Sequence, residues 1–170
     1  MDRVSLWFER KFDFSFPVEL HPNLCSRLRG TPARLEEILQ IPAKMLVRKQ
    51  GGKWSIQEHA GHLLDLESLW MARVEDYMSN KAELTVADLG NRKTHEAGHN
   101  DRGVAEILAE FQKARLRLVS RVEQLDSELF AGTRLHPRLK EPMRLVDHLY
   151  FVAEHDDHHL ARIWELIRED

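Results

Sequence analysis

Apolar residues recur at three- and four-residue intervals along four stretches of this chain, the spacing of helices that bury one face. The clearest begins at Ser55, where S-x-x-E with Glu58 forms a capping box and Trp54 is placed to pack at the start. Ile56, His59, His62, Leu63, Leu66, Leu69, Trp70, Val74 and Tyr77 mark its stripe. A first helix is predicted from Thr31 and Pro32, an N-cap and N1 pair, through Leu35, Ile38 and Leu39 to about Pro42. A third opens at Asn100 or Asp101 and carries Val104, Ile107, Leu108, Phe111, Leu118, Val122 and Leu125. Pro142 at N1 starts the fourth, through Leu145, Leu149, Val152, Ile163 and Leu166.

The connections have their own signatures. Residues 1–30 read as an arm on the body, with a short helix over Val4 to Phe12, an extended run in which Phe12, Phe14 and Phe16 alternate with polar residues, and breaks at Pro17 and Pro22. Met45 to Lys53 is a turn around Gly51-Gly52. Residues 80–100 form a long connection with a turn of helix near Val86 to Leu89, suited to rim a pocket, and Gly132 to Glu141 is a loop. No alternating run is long enough for a sheet. The expectation is an all-α single domain over residues 1–170, an N-terminal aromatic arm (1–30) followed by a four-helix bundle (31–168) around one aliphatic core.

Charge and composition narrow the function. Lys+Arg of 25 against Asp+Glu of 28, a net charge of −3 without a like-charge block, lacks the footprint of a nucleic-acid binder. No apolar run approaches the roughly 20 residues of a membrane span, and the N-terminal segment has no apolar signal region. The single cysteine, Cys25, excludes an internal disulfide framework and suits a reducing compartment, so the expected location is cytoplasmic. The expected partner is a small-molecule substrate.

Ten histidines are the oddity, and their spacing carries the chemistry. In the run His155-Asp156-Asp157-His158-His159, His155 and His159 stack on one helical face with Cβ atoms about 5–6 Å apart, the spacing of two metal ligands. A third imidazole from a neighbouring helix completes a His₃ set with coordination positions left open; His62 is the best candidate, and His59, one turn before it, could substitute or line the pocket. His158 projects about 100° away as a rim residue. His95 and His99 read as solvated loop histidines, His148 as a bundle-end residue, and His21 and His136, each before a proline, as turn residues. Glu58, Glu154, Asp156 and Asp157 are expected to accept the ligands' other N–H groups; one entering the site would favour nickel, iron or manganese. Cys25 reads as a small semi-buried apolar residue. Arg73, Arg92, Arg102 and Arg162 are the basic groups a pocket could draw on.

Trp54-Ser55-Ile56-Gln57-Glu58 leading to Gly61-His62-Leu63-Leu64-Asp65-Leu66-Glu67, together with Ala153 through Ile163, resemble the two signature segments of the DinB/YfiT-like metalloproteins, and the similarity extends to Arg29 through Glu37. The resemblance selects His62 over His59, with His155 and His159, as metal ligands. It implies an up-down-down-up four-helix bundle, a homodimer, and a divalent metal, zinc or nickel first and iron or manganese next. Relatives include S-transferases that use low-molecular-weight thiols such as bacillithiol or mycothiol, a mycothiol-dependent isomerase and metal-dependent hydrolases. The function expected is a thiol S-transferase acting through a metal-activated thiolate, with a low-molecular-weight thiol as partner. The alternatives are a hydrolase using metal-bound water and a non-catalytic, stress-related metal-binding protein, the latter because no H-E-x-x-H glutamate accompanies the histidines.

Overall fold

In a computed structural model that describes residues 4–169, the best-signalled helix forms where expected. Met1 to Arg3, the start of the expected arm, and Asp170 lie outside the described residues. Taken in chain order, the helices are α1 (His21–Ile38), the single turn α2 (Ala43–Leu46), α3 (Ile56–Met78), the short α4 (Arg92–Glu96), α5 (Val104–Glu123) and α6 (Leu145–Arg168). At the start of α3, Glu58 N–H donates to Ser55 Oγ at 3.1 Å and Ser55 N–H to Glu58 Oε2 at 2.8 Å, the reciprocal capping box the sequence signals.

The four long helices pack in a ring, α1 against α5 and α6, and α3 against the same two, in up-down-down-up order. Parallel neighbours cannot be joined by a tight turn. Since α3 and α5 run the same way, residues 79–103 must travel back along a helix of 23 residues, about 35 Å at 1.5 Å per residue. This crossover carries α4 and a 3₁₀ turn over His99–Asp101 along the flank of α3.

Several boundaries differ from the sequence expectation. Helix α1 starts ten residues before Thr31, with Pro22 in its first turn, where a missing N–H costs nothing. Gly30 and Pro32 lie inside it. Pro32 cannot bond the carbonyl of Leu28, and that carbonyl instead accepts from Arg115 Nη1 at 3.2 Å, so the residue read as a start becomes an interior socket. Asn100 and Asp101 do not cap α5, whose N-cap is Gly103; Asn100 accepts from Ser55 Oγ at 2.7 Å. The helical turn expected at Val86 to Leu89 lies at Arg92–Glu96, because the Asp88 carboxylate accepts from Gly90 and Arg92 N–H and so ends the turn that α4 follows.

Within the predicted loop 132–141, Thr133–Leu135 (β1) pairs antiparallel with Pro142–Arg144 (β2), three residues each and too short to show alternation. Pro142 therefore belongs to a strand, and α6 is capped by Asp147, which accepts from Arg144 N–H at 2.8 Å. Over Val4 to Phe12 only a 3₁₀ turn forms, at Trp7–Glu9. The following extended run lays Phe12 against Phe151 and Phe16 against Tyr150, with ring centroids 5.0 and 5.2 Å apart.

The single core expected is two. One holds Leu28, Trp70, Val74, Leu118, Leu149 and Val152 among others; the second holds Leu35, Ile56, Leu63, Ile107, Phe111 and Ile163. Between them lies a polar layer with one residue from each long helix: Thr31, Glu67, Arg115 and Asp156, all buried. Arg115 bonds Glu67 at 2.6 Å, Asp156 through both Nη atoms and Leu28 O, and Thr31 Oγ donates to Asp156 at 2.8 Å. Arg115→Met strands two carboxylates in the interior, and we expect about 3–5 kcal/mol lost in urea unfolding, with Arg115→Lys recovering little because an ammonium lacks the planar fork.

Candidate metal centre

Helices α3 and α6 face each other, and at their contact His62 meets His155 and His159. All three are buried, at 3, 4 and 6 % exposure, with one nitrogen of each within 4.8 Å of the others. The Nε2 atoms of His155 and His159 are 3.2 Å apart. An ion with nitrogens at about 2.0–2.1 Å in tetrahedral array needs an edge of about 3.3 Å, so this pair fits a metal without rearrangement.

The hydrogen bonds fix which nitrogen of His62 faces inward. Thr94 Oγ is 2.9 Å from Asp65 Oδ2, and a carboxylate only accepts, so the hydroxyl proton lies on that bond. Thr94 Oγ must then accept from His62 Nδ1–H, also at 2.9 Å, which leaves Nε2 of His62 bare. His99 Nε2 donates to the same Asp65 oxygen at 2.8 Å. Behind His159, the Nδ1 atoms of His59 and His159 lie 2.9 Å apart, while Nδ1 of His155 is buried with no partner among the described residues.

Packing makes this relay specific. A Cβ at Gly61 would fall 2.3 Å from the His99 ring, so α3 accepts a glycine in its interior to let the crossover close on it. Burial, the largest cause throughout, holds the rings neutral: it pulls His62 down to about 4 and His59 to about 3, and keeps His155 and His159 well below the usual imidazole range. Neutral imidazoles are what a cation requires as ligands.

The centre opens into a cavity of about 440 Å³ walled mostly by apolar side chains. Three tryptophans crowd the histidines: Trp54, 4.7 Å from the His62 ring, and Trp7 and Trp70, 5.0 and 5.6 Å from His155. Trp7 comes from the N-terminal arm, which thus forms one wall.

Sequence reasoning placed some neighbours and missed others. His59 and His158 line the cavity and His95 is exposed, as expected. His99 is not solvated: at 2 % exposure it packs against Gly61 and bonds Asp65. His148, in the first turn of α6, is wholly buried beside Trp70 and Tyr77, and His136, although in a turn, is buried and lines the cavity. None of the four carboxylates expected beside the histidines is there. Glu58 closes the capping box, Glu154 pairs with Arg10 and Arg27, Asp157 with Arg27 and Arg34, and Asp156 with Arg115. That role falls to Thr94 and Asp65, and no local pattern in the crossover marks Thr94. Of the basic candidates, Arg73 reaches the cavity, whereas Arg102 and Arg162 pair with glutamates and Arg92 is exposed. Arg138, also on the cavity wall, was not anticipated. Cys25 is fully buried, and burial pushes its thiol up to about 11.

The DinB superfamily profile matches residues 27–163. Among solved structures, the chain is similar to YfiT from Bacillus subtilis, described as "a probable metal-dependent hydrolase with an unusual four-helix bundle topology", at 21 % identity and a TM-score of 0.81 over 94 % of this chain and 93 % of that one. No curated protein matches the chain.

Two outcomes are expected. Thr94→Val removes the acceptor that holds the His62 tautomer and should weaken zinc binding about 10–100-fold in a chelator competition. Seven imidazoles are held below their usual value in the folded protein, with Glu67 alone among the carboxylates pushed the other way, to about 7. As pH falls from about 6.5 towards 4, the unfolded chain takes up protons that the folded one refuses, so stability present above 6.5 is lost over that window. Melting curves of metal-free protein at pH 7.5 and 5 check this, with the lower midpoint at pH 5.

Proposed function

Because this chain belongs to the DinB superfamily, we propose that it is a metal-dependent enzyme in which His62, His155 and His159 hold one divalent cation and the reaction is hydrolysis. The observation that carries this reading is the convergence of three buried, neutral imidazoles on one point at the wall of a cavity large enough for a small-molecule substrate. A metal store would need no such cavity. With Glu58, Glu154, Asp156 and Asp157 all engaged elsewhere, the protein's donor set is nitrogen only, which favours zinc over manganese.

Lewis acidity towards an incoming water or carbonyl oxygen is what a divalent cation supplies at such a site. The chain's own groups do the rest. Thr94 and Asp65 hold His62 with its Nε2 towards the cavity, and the tryptophan walls keep bulk water from the bound substrate. His158 lines the same cavity outside the triad, and burial, which lowers it to about 4, keeps its ring neutral there. Thiol transfer would use the same centre, but a sugar-bearing thiol calls for polar walls, and these are mainly apolar. The likeness to YfiT, described as "a probable metal-dependent hydrolase", supports the same choice. Lone, buried Cys25 suits a reducing compartment, and we place the protein in the cytoplasm on that ground.

Elemental analysis of untagged protein should find about one divalent metal per chain and almost none in His155→Ala, with ester or amide hydrolysis falling at least ~100-fold in the variant. Hydrolysis should proceed at the same rate with and without added thiol; a strict thiol requirement would establish the transferase instead.

A further inference from the structure

The cavity has a charged end that the triad does not use. Arg73, on α3 and 2 % exposed, and Arg138, in the turn between β1 and β2, both line it. Neither forms an ion pair among the described residues. Arg73 donates through Nε to the Thr85 carbonyl at 2.9 Å, a neutral acceptor; its Nη1 lies 3.2 Å from Nε2 of His136, which offers no lone pair, because Nδ1 of that neutral ring accepts from the Arg138 and Leu139 N–H groups and the proton is left on Nε2. Asp76, the carboxylate that acts on Arg73 from a distance, is itself held by Lys81 and by the Thr85 N–H. Arg138 lies over the rings of Trp7, Phe8 and Phe151, with Cζ 5.9, 5.4 and 5.7 Å from their centroids. Rings stabilise the face of a guanidinium but offer its N–H edge no acceptor, and Arg138 Nη2 is buried without one.

Two guanidiniums on an apolar wall, one with an unmet buried donor, are costly unless something with negative charge completes them. The carboxylates on the same wall do not: Glu9 is exposed, and Asp88 accepts from two backbone N–H groups. The Trp7 ring touches both Arg138 and His155, so a single indole spans the distance from the charged end to the triad.

We propose that the cavity takes a small substrate with an apolar body and one terminal carboxylate, received by Arg138 with Arg73 behind it, while the body lies along Trp7, Trp70 and Phe151 towards the three histidines. This deepens the hydrolase reading by naming its substrate class, and it rests on that reading only for which end of the molecule reacts. The planar fork of arginine suits a carboxylate, which it meets with two parallel bonds. Such a substrate also gives the N-terminal arm a role, since Trp7 and Phe8 hold Arg138 in place and supply the wall along which the apolar body lies.

The test uses metal-free protein, so that no cation can attract the acid and a failed metal assignment is distinguished from a failed anion site. The probes are 4-phenylbutyrate and its uncharged counterpart 4-phenylbutanol, titrated at pH 7.5 against the fluorescence of the tryptophans on the cavity wall. The acid is expected to bind at least ~10-fold more tightly than the alcohol, as a charge-assisted bidentate contact allows. Arg138→Met should abolish that preference and leave affinity for the alcohol within about twofold. Equal binding of the two probes by the natural protein overturns the proposal, as does a preference that persists in Arg138→Met, and failure of both probes to bind overturns the apolar-body half. The comparison within the natural protein decides the matter even if the variant does not fold.

Discussion

A guanidinium taken wholly out of water brings five N–H donors and a full charge, and all of them must be met at once. Arg115 on α5 meets them with Glu67 from α3, Asp156 from α6 and the Leu28 carbonyl from α1, so that one side chain ties all three other long helices at a single level. Two carboxylates face one cation there, and burial pushes Glu67 up to about 7. Well-packed leucines at that level could give comparable stability. What they could not give is a fixed rotation. With Asp156 turned towards Arg115, His155 and His159 fall to one side of it, about 40° apart at 100° per residue, where α6 meets α3.

Topology supplies the next constraint. Because α3 and α5 are parallel, the chain must run back along α3 before α5 can begin, and the returning segment brings Thr94 and His99 against the His62 end of the helix. Gly61 is the accommodation on the helix side. The orientation of a candidate ligand thus depends on a connection that carries little apolar content.

The N-terminal arm belongs to the site as well as to the core. Its phenylalanines anchor it to α6, and the anchored segment sets Trp7 beside His155 and under Arg138. A cavity built from arm, hairpin turn and crossover around a rigid pair of helices allows the walls to vary while the histidines stay where the bundle puts them.

Four amphipathic stripes, the Ser55–Glu58 capping box, the extended phenylalanine run and the three histidines at their spacings are local patterns, and all were legible in the chain, because a 3.6-residue period and an S-x-x-E box act over a single turn. So was the grouping of His62 with His155 and His159, through resemblance to a family. Thr31-Pro32 shows where legibility stopped. In isolation it is a helix start, and only Arg115, more than eighty residues away, makes a mid-helix proline acceptable by bonding the carbonyl that Pro32 leaves free. The same holds for His99 and for the carboxylates of the last helix: sequence gives each its charge and face, but which partner it meets depends on helices and loops distant in the chain. Local propensity fixed the elements, while the need to satisfy every buried donor and charge, which only the assembled bundle can do, decided their boundaries and the surroundings of the histidines.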